Sequence, residues 1–107
     1  MQVDVCLARL ARNHCDIAAR EELARLYADH LGQSDLGIQH LETLLALPDQ
    51  PAHKIMEWLT LLSQWHEQYR NDSKASRQAL RRITSQYPQS VQAFAALRKL
   101  TLTPQTA

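Results

Sequence analysis

Cys6, His14 and Cys15 are the residues in this chain that come nearest to a metal-ligand set, because two thiolates and an imidazole could supply three of the four ligands of zinc. The set needs the chain to fold tightly around residues 6–15, and no second cysteine pair completes it. The five histidines add no His-x-x-x-His pair and no Glu-x-x-His pair, the spacings that put ligands on one helix face. Ordinary turn and surface roles are therefore expected, with both thiols reduced and no metal bound. Cys15 lacks a Cys-x-x-Cys partner or a recognised nucleophile setting. His66 and Glu67, beside Trp65, could form an acid-base pair, but neighbouring helix residues point in different directions and no nucleophile accompanies them. No glycine loop that could cradle a phosphate is present. The chain is read as non-catalytic and without a cofactor.

Arg77, Arg81 and Arg82 suggest contacts to a nucleic-acid backbone, and helical repeats can read single-stranded RNA. No aromatic platform accompanies these arginines, so a solvated outer helix face is the better reading. Twelve Lys and Arg against eleven Asp and Glu leave a formal charge of +1, spread without a basic block, and nucleic acid is disfavoured as a partner.

The elements that must position these residues are helices. Of the 107 residues, 45% are hydrophobic and 21% charged, which suits one folded domain, and only two Gly and four Pro interrupt it. Six helices are expected. The first spans about Val3 to Arg12, with Val3, Cys6, Leu7 and Leu10 on its apolar stripe. Asp16 caps the second, which buries Ala19, Leu23, Leu26 and Tyr27 and ends near Leu31 before Gly32. Ser34 or Asp35 caps the third, with Ile38, Leu41, Leu44 and Leu45 inward, and Pro48 to Pro51 stop it.

The fourth runs from about Ala52 to Tyr69 with Ile55, Trp58, Leu59, Leu62, Trp65 and Tyr69 at helical spacing. The polar loop of Arg70, Asn71, Asp72 and Ser73 supplies a cap for the fifth, which carries Ser76, Ala79, Leu80, Ile83 and Tyr87 inward before Pro88. Ser90 caps the sixth, with Val91, Phe94, Ala95 and Leu97 available for packing. Residues 1–100 are taken as one domain and 101–107 as a frayed tail. No apolar run suffices to cross a bilayer and no secretory signal is visible, so a cytoplasmic site is expected, although a domain of a larger exported protein would look the same.

Leu7-x-x-Leu10, Leu41-x-x-Leu44 and Leu80-x-x-Ile83 recur at intervals of 34 and 39 residues, a range in which one helix pair repeats and stacks on the next. Trp58, Leu61, Leu62 and Trp65, and Leu23, Ala24 and Tyr27, resemble the A helices of the tetratricopeptide repeat family. Gly37, Leu41 and Leu44, then Ser76, Leu80 and Ile83, resemble its B helices, with Pro48 and Pro88 near the terminating proline. Leu62, Leu44 and Ile83 depart from the small residues usual at their sites, and Arg20 stands where a bulky apolar residue is usual.

The resemblance covers about residues 16–100 as two full and two half repeats. It implies an all-α, right-handed helical-hairpin solenoid of about six antiparallel helices that acts as a protein-interaction or assembly module. It also implies that A helices line a concave groove for a peptide or partner helix. The groove candidates by register are Glu21, Arg25 and Asp29; Met56, Leu59, Ser63 and His66; and Gln92, Ala95 and Lys99. Met56 and Leu59 could instead pack under a neighbouring helix. The Lys and Asn clamp that some members use for chaperone tails is not carried over, because Glu21, Arg25, Thr60, Gln92 and Ala96 hold its sites. The alternative function is a self-associating segment of a larger repeat protein, paired through terminal helices at Val3 and Leu7 or at Phe94 and Leu100.

Overall fold

The structure is a computed structural model that describes residues 2–102. Among the described residues there are six α-helices and no strand: α1 Gln2–Arg12, α2 Ile17–Arg25, α3 Ser34–Ala46, α4 Ala52–Arg70, α5 Ser73–Gln86 and α6 Val91–Leu102. They form two compact units, the first ending at Asp49 and the second beginning at Gln50. In each unit, helices adjacent in sequence pack on one another: α1 on α2 and α2 on α3, then α4 on α5 and α5 on α6. Short loops favour this neighbour packing.

In the N-terminal unit, Asp16 caps α2 as its sequence position predicts, its carboxylate accepting from the Ala19 amide at 3.0 Å. Arg9 forks onto the same carboxylate with two bonds of 3.0 Å and so ties α1 to the start of α2. The Ala19 amide, aided by Arg9, holds the Asp16 carboxyl below its ordinary range. The second helix does not continue as α-helix to Leu31. It passes at Leu26 into a π-helical turn, Leu26–His30, closed by the Leu31 amide on the Leu26 carbonyl at 3.0 Å. Gly32 follows at φ +65°, a left-handed position that suits a residue without Cβ.

The cap expected at Ser34 or Asp35 is not formed. Gln33 is the N-cap and makes no side-chain cap; its carbonyl receives the Leu36 and Gly37 amides, so Ser34 is already the first helical residue. The exit is as expected, with Leu47 extended before Pro48. Gly37 marks the close crossing of α3 on the second helix, since a Cβ there would stand 2.8 Å from the Ala24 carbonyl oxygen. Cys6, Ala19, Leu23, Ala24, Ala28, Leu41 and Leu44 form the buried apolar set of this unit.

In the C-terminal unit, α4 ends at Asn71 in the left-handed conformation. Asp72 then caps α5 through the Ala75 amide at 3.0 Å, and Ser90 caps α6 through the Ala93 amide at 3.0 Å. Met56, Trp58, Leu59, Leu62 and Trp65 of α4 are buried, as are Ala79, Leu80 and Ile83 of α5. Ser63 and Ser76 share a buried hydrogen bond of 2.8 Å between these two helices.

The sixth helix corrects the sequence reading. Val91, Phe94 and Leu97, expected to pack, are 79%, 63% and 52% exposed, while Ala93 and Ala96 are buried and Leu100 is half-buried. The helix has two apolar stripes, and the small one faces α5 because alanines let the backbones approach closely. Tyr69 and Leu7, also expected inward, are exposed. Thr101 and Leu102 continue α6 rather than fraying, and residues 103–107 of the expected tail lie outside the described residues. No described helix is long and apolar enough to cross a membrane.

Candidate functional site

Three helices of the C-terminal unit leave a cleft of about 160 Å³, lined by Thr60 of α4, Leu80 and Ile83 of α5, and Gln92, Ala95, Ala96 and Lys99 of α6. Leu80, Ile83 and Ala96 are buried and give it an apolar floor. Gln92 and Lys99, seven residues apart on α6, stand exposed at its rim, and Ala95 between them is small enough to leave the opening clear. The Thr60 hydroxyl is engaged with its own helix, donating to the Met56 carbonyl at 2.8 Å. Small-molecule pockets usually enclose roughly 300–1,000 Å³, so this cleft suits one protruding side chain rather than a metabolite.

Of the sequence-derived candidates, Gln92, Ala95 and Lys99 line this cleft together. Met56, Leu59 and Ser63 are not with them on an open wall. All three are buried, Leu59 completely, which is the packing alternative that the sequence left open. His66 is half-buried, and its Nδ1 is a buried atom without a hydrogen-bond partner. Glu21 and Arg25 are half-buried on α2, and Asp29 is exposed on the π-helical turn, all in the N-terminal unit. Thr60, Leu80, Ile83 and Ala96 are the cleft residues not anticipated. The register on α4 falls one position past Leu59, at Thr60, a site considered only for the chaperone clamp.

The metal and acid-base candidates are dispersed. Cys6 is buried and donates to Glu22 at 3.4 Å, with burial and the Glu22 carboxylate raising its thiol pKa. His14 and Cys15 are exposed in the turn between α1 and α2, where the Asn13 side chain accepts from the Cys15 amide at 3.0 Å. No group of three or more His, Cys, Asp or Glu is placed to hold a metal ion among the described residues. Glu67 accepts from the Ser76 hydroxyl at 3.4 Å.

The arginines of α5 divide as well. Arg77 donates to the Leu100 carbonyl at 3.2 Å, near the C-terminus of α6, where a cation is favoured. Arg81 and Arg82 are exposed with Gln78, Ser85 and Gln86 around a shallow, open depression that contains no aromatic residue.

One polar cluster went unforeseen. Arg20 of α2 reaches His40 Nδ1 of α3 at 3.1 Å, and the Tyr27 ring lies stacked on the His40 ring with centroids 5.8 Å apart. A guanidinium only donates, so His40 Nδ1 is the acceptor and the imidazole is neutral. Burial first, and the Arg20 charge second, hold its pKa below the ordinary value of 6.5. The signal in the sequence was Arg20 itself, a charge at a site where the repeat pattern asks for a bulky apolar residue.

These features define a class: a small all-helical domain whose helices pack in sequential order, as in helical-hairpin repeats. No family model, curated protein or solved structure matches the chain significantly. The tetratricopeptide resemblance therefore rests on the residues quoted for it.

Proposed function

We propose that this chain is a protein-interaction module of the tetratricopeptide-like kind, without catalysis of its own. The observation that carries the reading is the cleft lined by Thr60, Leu80, Ile83, Gln92, Ala95, Ala96 and Lys99. Its buried apolar floor accepts one aliphatic or aromatic side chain, and the exposed Lys99 ammonium at the rim pairs with a carboxylate on the same partner segment. Gly37 and Ser76 at the small packing sites of α3 and α5 support the repeat assignment, with right-handed stacking as part of the proposal. The groove then uses Gln92, Ala95 and Lys99, while Met56, Leu59 and Ser63 support it from the core.

A displayed library of random peptides, selected against the whole chain, tests the reading. Sequences pairing Leu, Ile or Phe with a nearby Asp or Glu should be enriched, and Ala95→Trp, which fills the cleft from an exposed position, should abolish their binding. Enrichment that is unaffected by a folded Ala95→Trp variant, or no enrichment, refutes it.

A further inference from the structure

Two exposed helix faces in this chain complement each other. On α1 the inward side is Cys6 with half-buried Val3 and Leu10, so Asp4, Ala8 and Ala11 lie together on the opposite, exposed side. On α6 the inward side is Ala93 and Ala96, so Val91, Phe94 and Arg98 share the exposed side, with Leu97 at its edge. One face is a ridge of small residues ending in a carboxylate. The other is a row of large apolar residues ending in a guanidinium.

The spacings agree when the helices run antiparallel. Asp4, Ala8 and Ala11 step forward by four and then three residues, and Arg98, Phe94 and Val91 step back by four and then three. At the rise of an α-helix both ladders advance by about 6 Å and then about 4.5 Å. Asp4 therefore meets Arg98, the Ala8 position receives Phe94, and Ala11 meets Val91. An alanine ridge under a phenylalanine is the pairing of small with large that lets two helices approach closely. Pairing α6 with another α6 offers no acid for Arg98, because α6 carries no Asp or Glu.

The halves of the chain also differ in charge, although α1 itself carries Arg9 and Arg12 against Asp4. Up to Asp49 the chain has eight Asp and Glu against four Arg; from Gln50 it has eight Lys and Arg against three Asp and Glu. The acidic half carries α1 and the basic half carries α6.

We propose that the exposed face of α6 docks on the exposed face of α1 of a second copy, antiparallel, so that copies associate head to tail. The inference rests on the interaction-module reading but uses the side of α6 marked by Val91, Phe94 and Leu97, away from the Gln92 and Lys99 rim. The interface is heterologous, so it closes into a ring where the rotation between copies allows and otherwise continues as an open chain. A contact of two short helices belongs to the weak end of protein interfaces, and its charge component makes it salt-sensitive.

Sedimentation of the whole chain over a wide concentration range at low salt should show an average mass that rises above the monomer with concentration and falls when salt is added. Ala8→Glu and Phe94→Glu, both at exposed helical positions, should each weaken association by about thirtyfold or more. Mixing the two variants is the decisive step. The Phe94→Glu copy still offers α1 and the Ala8→Glu copy still offers α6, so the mixture should form a one-to-one dimer that grows no further. Asp4→Arg and Arg98→Asp should each weaken assembly, and the double variant should restore it.

A wild-type chain that stays monomeric at every concentration overturns the proposal, as does an Ala8→Glu variant that associates like wild type, or a mixture that remains monomeric. None of these outcomes touches the peptide cleft. Conversely, a failed peptide selection beside a successful mixing experiment removes the cleft reading and leaves the head-to-tail contact standing.

Discussion

Replacing Gly37 with alanine sets two effects of comparable size against each other. In the middle of a helix, alanine is favoured over glycine by about 1 kcal/mol. Against that gain, the new Cβ would lie 2.8 Å from the Ala24 carbonyl oxygen and 2.9 Å from the Ala28 Cβ. Carbon atoms pack best at roughly 3.5–4.0 Å, and the carbonyl belongs to a helix backbone that cannot rotate away. Relief requires α3 to withdraw from α2 by several tenths of an ångström, which loosens the fully buried Leu41 and Leu44 on the same helix. Overpacking of this kind costs about 1–3 kcal/mol, and the loosened leucines place the case toward the upper part of that range.

The net expectation is a loss of about 1–2 kcal/mol. For a domain of this size that corresponds to a fall in Tm on the order of 5–10 °C. Thermal and urea unfolding followed by far-ultraviolet circular dichroism would measure it, with faster amide exchange confined to α2 and α3. Gly32 is the control, since nothing lies within 4 Å of its absent Cβ and only its φ of +65° is restrictive. Asparagine, which tolerates that conformation, should restore most of the stability lost in Gly32→Ala, while no side chain should be tolerated at position 37. A Gly37→Ala variant as stable as wild type would refute the close crossing of α3 on α2.

The His40 cluster makes the N-terminal unit sensitive to acid. Because the folded pKa is depressed, the unfolded chain binds more protons between that value and 6.5, so stability is fully present above about 6.5 and is lost as pH falls through the folded pKa. Unfolding at pH 7 and pH 5 should show this slope, and His40→Gln should remove it; an unchanged slope counts against a neutral, buried His40. Asp16 acts in a lower window, contributing stability above its ordinary 3.8 that is lost only as pH falls through its depressed value. Removing the cap of α5 with Asp72→Ala should cost about 1 kcal/mol, with Asp72→Asn recovering most of it in urea titrations. Ser76→Ala should cost more than Ser63→Ala, because it strands the buried Ser63 hydroxyl, whereas Ser76 keeps Glu67 at 3.4 Å. The double variant should be no less stable than Ser76→Ala, and a larger loss would break the pairing argument.

Helix existence could be read from the chain because its signals are local. Asp16 and Ser90 sit just before apolar periodicities and do cap in the structure, the polar loop before the fifth helix supplies its cap at Asp72, and Pro48 and Pro88 stop helices by rules that act within a few residues. The expected cap of α3 failed because the helix already includes Ser34, which leaves Gln33 at the N-cap, and nothing in the local composition marks that start. The π-helical turn escaped because it is the last turn of its helix, so no apolar position follows within the helix to reveal the shift of register. On α6, apolar size pointed to Val91, Phe94 and Leu97, but close approach to α5 selected Ala93 and Ala96. Part of the cleft was within reach: Gln92, Ala95 and Lys99 were named through the register that the tetratricopeptide resemblance implies. Thr60, Leu80 and Ile83 join them only through the packing of three helices, which no single periodicity encodes.

The two units differ in what fills them, and the difference bears on where partners act. Beneath α4 and α5 lie Trp58, Trp65, Leu59, Leu62, Leu80 and Ile83, side chains that remove large apolar areas from water. The N-terminal unit relies on Leu23, Leu41 and Leu44 among small residues, Ala19, Ala24, Ala28 and Cys6, so its helices approach closely but bury less per residue. It therefore depends more on directional contacts: the Arg9 fork on Asp16, the Arg20 bond to His40 and the Cys6 bond to Glu22. A partner helix laid on α1 covers Ala8 and Ala11 and adds apolar burial to the unit with least of its own. Because such a partner binds the folded unit and not the unfolded one, association and stability are linked by mass action. In the proposed assembly the contact covers α1 of this sparsely filled unit and α6 of the unit whose aromatic core lies beside the cleft.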